Sequence, residues 1–97
     1  RNRAACVVTY GDRGAWYQER GGAVRHQCAY PVRAVDTTGC GDVFHGAYAA
    51  CLCQGASVAR AVQVASAAAA LKATRTGGQA GIPTWAAIEP FMRSAEV

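Results

Sequence analysis

The stretch Asp36-Thr37-Thr38-Gly39-Cys40-Gly41-Asp42 decides how this chain is read. It joins a short β-branched run, Val32–Val35, to an amphipathic run that begins near Asp42. That order predicts a strand, a polar glycine-bearing turn and a helix. The first N–H groups of a helix lack partners within it and carry the positive end of its dipole. Glycines there let the backbone come close to an anion. Gly39, Cys40 and Gly41 therefore read as N–H donors to a phosphoryl group. Asp42 reads as a carboxylate beside them, able to take a proton from an attacking hydroxyl. Taken alone, the same residues also read as a helix start capped by Thr38 or Asp42. The chain has no GxxxxGK[ST], which excludes a P-loop. Phe44 stands where a dinucleotide-binding fingerprint needs glycine.

Downstream, Phe44, Tyr48 and Cys51 recur at i, i+4 and i+7, with Val43, Ala47 and Ala50 on an adjoining stripe. Gly55 is a suitable stop, and Ser57 an N-cap for a second helix. Val58, Ala61, Val62, Ala65 and Ala69 give that helix a narrow face of small residues. Gly77-Gly78 ends it, and 76–83 reads as a loop. Thr84 could cap a last helix, but Pro90 inside it costs roughly 3 kcal/mol and predicts that it is short or kinked. Upstream, Ala4–Thr9 reads as a buried strand ended by the turn Tyr10-Gly11-Asp12-Arg13-Gly14. Ala15–Glu19 and Ala23–Ala29 read as a hairpin about Arg20-Gly21-Gly22, and Pro31 breaks the return strand. Strands first and a helix pair after them point to the α/β or α+β class.

The chain has 97 residues, of which 52% are hydrophobic. That describes one small globular domain at most. Its net charge of +4 is scattered from Arg1 to Arg93 without runs or interleaved aromatics. Such a balance suits anionic small molecules and does not predict a nucleic-acid partner. The five cysteines form no CxxC pair, so zinc or a disulfide framework is not expected. Reduced thiols and a cytoplasmic location are expected instead. No signal peptide or membrane span is predicted. Arg1-Asn2-Arg3 leads straight into an apolar strand, from which we expect the sequence to continue a larger protein. His26 and His45 have no partner motif and read as structural. Trp16, Tyr17 and Trp85 read as packing or rim residues.

The run Asp36–Gly46 resembles the signature of the PfkB (ribokinase-like) family, DTxGAGD followed by a hydrophobic pair and a small residue. Val7-Val8-Thr9-Tyr10-Gly11-Asp12-Arg13-Gly14 is similar to the family's strand and T-x-G-x-x-G turn. Ala65–Leu71 is similar to its Ala-rich helix. Thr74–Gly78 with Gly81-Ile82-Pro83 is similar to its closing loop. The blocks occur in family order and cover nearly the whole chain. The resemblance implies an α/β, ribokinase-like fold, represented by its C-terminal part over 1–97. Short strands and a β-hairpin would be followed by a packed helix pair and a short terminal helix. The N-terminal substrate-binding part and lid would lie outside this chain.

The resemblance also implies ATP-dependent transfer of a phosphoryl group to a hydroxyl of a sugar or related alcohol. Asp42 would be the base, and Gly39, Cys40 and Gly41 the anion hole. Thr9, Gly11 and Gly14 would line the nucleotide phosphates and ribose. Ser66 falls where the family often has Asn near the adenine, and Cys40 where it commonly has Ala. Mg2+ would travel with ATP. Many members also bind a monovalent cation, usually potassium, at positions matching Asp36, Thr38, Lys72, Arg75, Gly77 and Gly81, several acting through backbone carbonyls. A homodimer of the full-length protein is a further expectation, as is inactivity of this segment alone. Val43-Phe44-His45-Gly46 leans toward a carbohydrate acceptor. Two alternatives stay open: a nucleoside or phosphosugar kinase of the same family, and a non-catalytic nucleotide-binding module.

Overall fold

A computed structural model describes residues 5–9, 13–33, 37, 39–74 and 83–95. Strands β1 (Ala5–Thr9), β2 (Ala15–Glu19) and β3 (Arg25–Gln27) form an antiparallel sheet in the order β1-β2-β3. Helices α1 (Cys40–Cys53), α2 (Val58–Ala73) and α3 (Trp85–Ala95) follow.

The sheet's register is set by alternation and by two glycine turns. Val7 pairs with Tyr17 and Thr9 with Ala15, while Ala15 pairs with Gln27 and Tyr17 with Arg25. Ala15 and Tyr17 point inward and are buried, as a period of two demands. The hairpin forms where expected: Gly21 has φ 78 and Gly22 N–H donates to the Glu19 carbonyl at 2.8 Å. The return strand is shorter than the expected Ala23–Ala29. Its pairing stops at Gln27 because the residue opposite Cys28 would be Gly14, whose φ of 90 leaves the extended conformation. A side chain at Gly14 has no room either: a β-carbon there would lie 2.1 Å from the Gln27 carbonyl oxygen and 2.8 Å from the Ala29 nitrogen. Val32 and Arg33 pair with no strand, which corrects the start of the Val32–Val35 expectation. The rest of that run lies outside the described residues.

Helix α1 starts at Cys40, two residues before the expected start, and buries Val43, Phe44 and Ala47. Tyr48 and Cys51 pack against the core from its edge, whereas Ala50 is exposed. Gly55 ends the helix with φ 88. Its N–H donates to the Leu52 carbonyl at 3.0 Å and that of Ala56 to Cys51 at 3.0 Å, the paired bonds of a Schellman stop. Ser57 then caps α2, its hydroxyl oxygen accepting from the Arg60 N–H at 3.1 Å.

The second helix is buried on more than the narrow face expected. Val64, Ser66, Ala67, Ala68, Ala70, Lys72 and Ala73 are covered as well. It lies centrally, packed on α1, α3, β2 and β3. Its alanines are what allow neighbours to approach from several sides. Helix α2 ends at Ala73 with Thr74 as C-cap, ahead of the expected Gly77-Gly78. Helix α3 carries Pro90 in its interior and still runs for 11 residues. The proline costs roughly 3 kcal/mol, and burying Ile88 and Met92 offsets it at roughly 1.5–3 kcal/mol each.

Gly14→Ala is expected to destabilise the full-length protein by about 2 kcal/mol or more, since a clash with backbone adds to the left-handed strain. Gly21→Ala carries similar strain with nothing within 4 Å of the new methyl, so its cost is expected to stay at about 1 kcal/mol. Urea unfolding of both variants checks this; equal costs would remove the packing argument.

Candidate active site

The site begins where α1 begins. Gly39 is its N-cap, in the left-handed conformation with φ 78 and ψ 2. Cys40 N–H donates to the Thr37 carbonyl at 3.2 Å, and Val43 N–H to the Gly39 carbonyl at 3.0 Å. The reading of Asp42 as the capping residue is thereby corrected: Asp42 sits in the first turn, three residues after the cap. The Cys40 N–H is committed to the turn. Gly41 and Asp42 hold the next two positions, where helix N–H groups have no partner one turn earlier within the helix. The helix dipole favours the Asp42 carboxylate there and favours an anion in front of it.

These N–H groups open beside a cavity of about 390 Å³. Thr9, Gly14, Cys40, Gly41 and Ser66, all singled out in the sequence, line it together. They come from the end of β1, the turn before β2, the start of α1 and the middle of α2. Much of the remaining wall is small: Ala15, Ala29, Ala69, Ala70 and Ala73. Ser66 is buried, at 8% exposure, with its α2 neighbours Ala69, Ala70 and Ala73 on the same cavity face. Seven residues of helix separate Ser66 from Ala73, which spaces them about 10 Å apart along the axis.

Asp42 is exposed and does not line the cavity wall; it follows Gly41, which does. Gly39 is likewise off the wall, and its contribution is the turn that launches the helix. The aliphatic stem of Lys72 runs beside that turn, its Cε 3.9 Å from where a β-carbon of Gly39 would sit. Lys72 is buried at 6% exposure, and the Thr74 N–H two residues on donates to the Leu71 carbonyl at 3.1 Å.

Gly11, Asp36, Thr38, Arg75, Gly77 and Gly81 lie outside the described residues. Of the six cation positions only Lys72 is described. Among the described residues no group of three or more His, Cys, Asp or Glu side chains could hold a metal ion. The cavity's walls are mostly small residues, and the N-terminus of α1 opens on it through Cys40 and Gly41.

The histidines take structural places. His26 Nε2 lies 2.7 Å from the Arg13 carbonyl, and its ring packs on Trp16 at 4.2 Å. His45 is exposed and edge-on to Phe44. All five cysteines are free. Burial pushes the Cys51 thiol up, against the opposing pull of Arg60. Sequence reasoning missed the wall formed by Ala29, Tyr30, Pro31 and Val32. The sequence reads Ala29 as the end of the return strand, Pro31 as its breaker and Val32 as the start of a further strand, and the aromatic Tyr30 beside the proline is the available signal.

A left-handed glycine turn opens α1 onto an alanine-walled cavity. The chain belongs to the pfkB family of carbohydrate kinases, whose family model matches residues 1–85. Ribokinase from Bacillus subtilis is 35% identical over 89 residues, covering 92% of this chain and 30% of that protein. The structure of an E. coli ribokinase-II-type protein in complex with ATP and Mg2+ superposes with a TM-score of 0.85 at 39% identity, over 93% of this chain and 29% of that one. A Burkholderia thailandensis nucleoside kinase in complex with inosine superposes with a TM-score of 0.82 at 35% identity, over 94% of this chain and 30% of that one. The ribokinase-like fold is thus established, and the chain spans about 30% of the length of the relatives it matches.

Gly41 separates fold from function. No atom of the described residues lies within 4 Å of where its β-carbon would be. The fold has no steric need for glycine here, and glycine costs a helix up to about 1 kcal/mol relative to alanine. Gly41→Ala is therefore expected to hold or raise the melting temperature of the full-length protein while weakening ATP binding in a titration. A lowered melting temperature with intact binding would reverse that assignment.

Proposed function

We propose that this segment is the C-terminal, nucleotide-handling part of a kinase that transfers a phosphoryl group from ATP to a hydroxyl of a sugar or sugar derivative. One observation carries the reading: the cavity ends at the first turn of α1, with open space at Gly41 and Asp42 next along the chain. The bound triphosphate supplies the transferring group. The acceptor hydroxyl oxygen bonds to the γ-phosphorus while the bond from that phosphorus to the β,γ-bridging oxygen breaks and ADP leaves with the bridging oxygen; the Asp42 carboxylate takes the acceptor's proton. The N–H groups of the first turn hold the negative charge that develops, at a helix end already biased toward anions. Thr9 and Gly14 lie along the path of the phosphates and ribose, and Ser66 at the base end. Mg2+ accompanies ATP, held by phosphate oxygens and water.

The N-terminal part of the relatives would hold the acceptor, so the segment alone is expected to be inactive. The same reading includes a monovalent cation at the carbonyls around Asp36, Thr38, Lys72, Arg75, Gly77 and Gly81. A homodimeric full-length protein and a cytoplasmic location, the latter consistent with five free thiols, belong to it too. Among the described residues no helix is long and apolar enough to cross a membrane. The inosine-bound relative favours a nucleoside as the second acceptor class.

Asp42→Asn in the full-length protein is expected to lower kcat roughly 10²–10⁴-fold, with KM for ATP changed little, when pentoses, hexoses and nucleosides are assayed as acceptors. A fall of less than tenfold would remove Asp42 as the base and leave a non-catalytic nucleotide-binding module. Replacing K+ with tetramethylammonium at constant ionic strength is expected to slow the reaction. An unchanged rate would drop the cation from the reading.

A further inference from the structure

Helix α3 lies almost wholly beyond residues 1–85, which the family model matches, yet it reaches the cavity wall. Ile88 and Met92 bury one face of it, at 4% and 3% exposure. The Arg60 guanidinium sits over the Trp85 ring, 5.8 Å from its centre, and ties the start of α3 to the start of α2. Phe91, half-buried beside Met92, packs on Tyr30 with ring centres 5.4 Å apart at 41°. Tyr30 in turn lines the cavity.

Tyr30 needs such a support. It lies in 28–33, which follows β3 without strand or helix pairing. No ladder of backbone hydrogen bonds fixes its ring. Its surroundings on the cavity side are small, with Ala29 beside it and alanines across the cavity. Tyr30 also packs against the edge of the core cluster, and Phe91 is the aromatic neighbour that limits the swing of its ring.

We propose that Phe91 is a positioning residue that holds Tyr30 as the wall against which the nucleotide base lies, so that α3 sets the affinity for ATP without touching it. This rests on the nucleotide reading of the cavity. An aromatic pair of this geometry, with the ring stacking it secures, corresponds to about three- to tenfold in binding.

The test measures steady-state kinetics of the full-length protein with ATP and D-ribose, each varied at saturating partner. Phe91→Ala is expected to raise KM for ATP about three- to tenfold, leaving kcat and KM for ribose within about twofold. Because Phe91 acts through Tyr30, Phe91→Ala on a Tyr30→Ala background is expected to raise KM for ATP no further. Should Phe91→Ala fail to fold, Phe91→Leu, which keeps most of the volume, is read by the same measures. An unchanged KM for ATP, a matching rise in KM for ribose, or additive effects of the two variants would overturn the proposal. If the unmodified protein shows no saturable ATP dependence, the nucleotide reading fails first and this inference with it. Saturation with ATP but no response to Phe91→Ala sinks the inference alone.

Discussion

Everything in this structure leans on the side-chain size of α2. A helix covered by two other helices and two strands has to present small residues on several faces at once. Ala61, Ala65, Ala67 and Ala68 do so with almost no exposure. Larger side chains would push α1 away and tilt its first turn off the cavity. The same smallness hollows the cavity on the Ala69–Ala70–Ala73 side. Close packing and an open pocket come from one choice of residue. Dispersion falls off steeply with a gap, so the helices gain from contact while the cavity face forgoes it.

Three glycines near the site differ in what they answer to. Gly14 is held by its neighbours, since the backbone of β3's exit leaves no room for a β-carbon. Gly39 is held by its own dihedral angles, with ordinary space around it. Gly41 is held by neither: its surroundings among the described residues are open. A glycine that its described neighbours do not require sits where a helix loses by having it.

The elements with strong local grammar were legible in the sequence. The Gly55 stop and the Ser57 cap fell where residue chemistry placed them, and so did the Arg20-Gly21-Gly22 turn. Gly41 and Ser66, more than twenty residues apart in the chain, line one cavity. What local pattern could not supply was tertiary. The start of α1 at Cys40 depends on a backbone bond to Thr37. The short β3 depends on Gly14 turning away across the hairpin. The burial of α2 beyond its apolar stripe depends on neighbours distant in the chain. Tyr30 and Phe91 meet across about sixty residues of sequence, and nothing in either one's surroundings announces the other.

The tight join between α1 and α2 bears on how the site comes together. Gln54, Gly55, Ala56 and Ser57 are all that separate the two helices, and hydrogen bonds close both ends of that link. The entropy of closing a loop grows with the logarithm of its length, so a link this short adds little to bringing the helices together. The Cys40–Gly41 wall of the cavity and its Ser66–Ala73 wall are thus two halves of one local hairpin. They assemble as a unit of short-range contacts, and the sequence-distant pairing left to form is that of the aromatic wall.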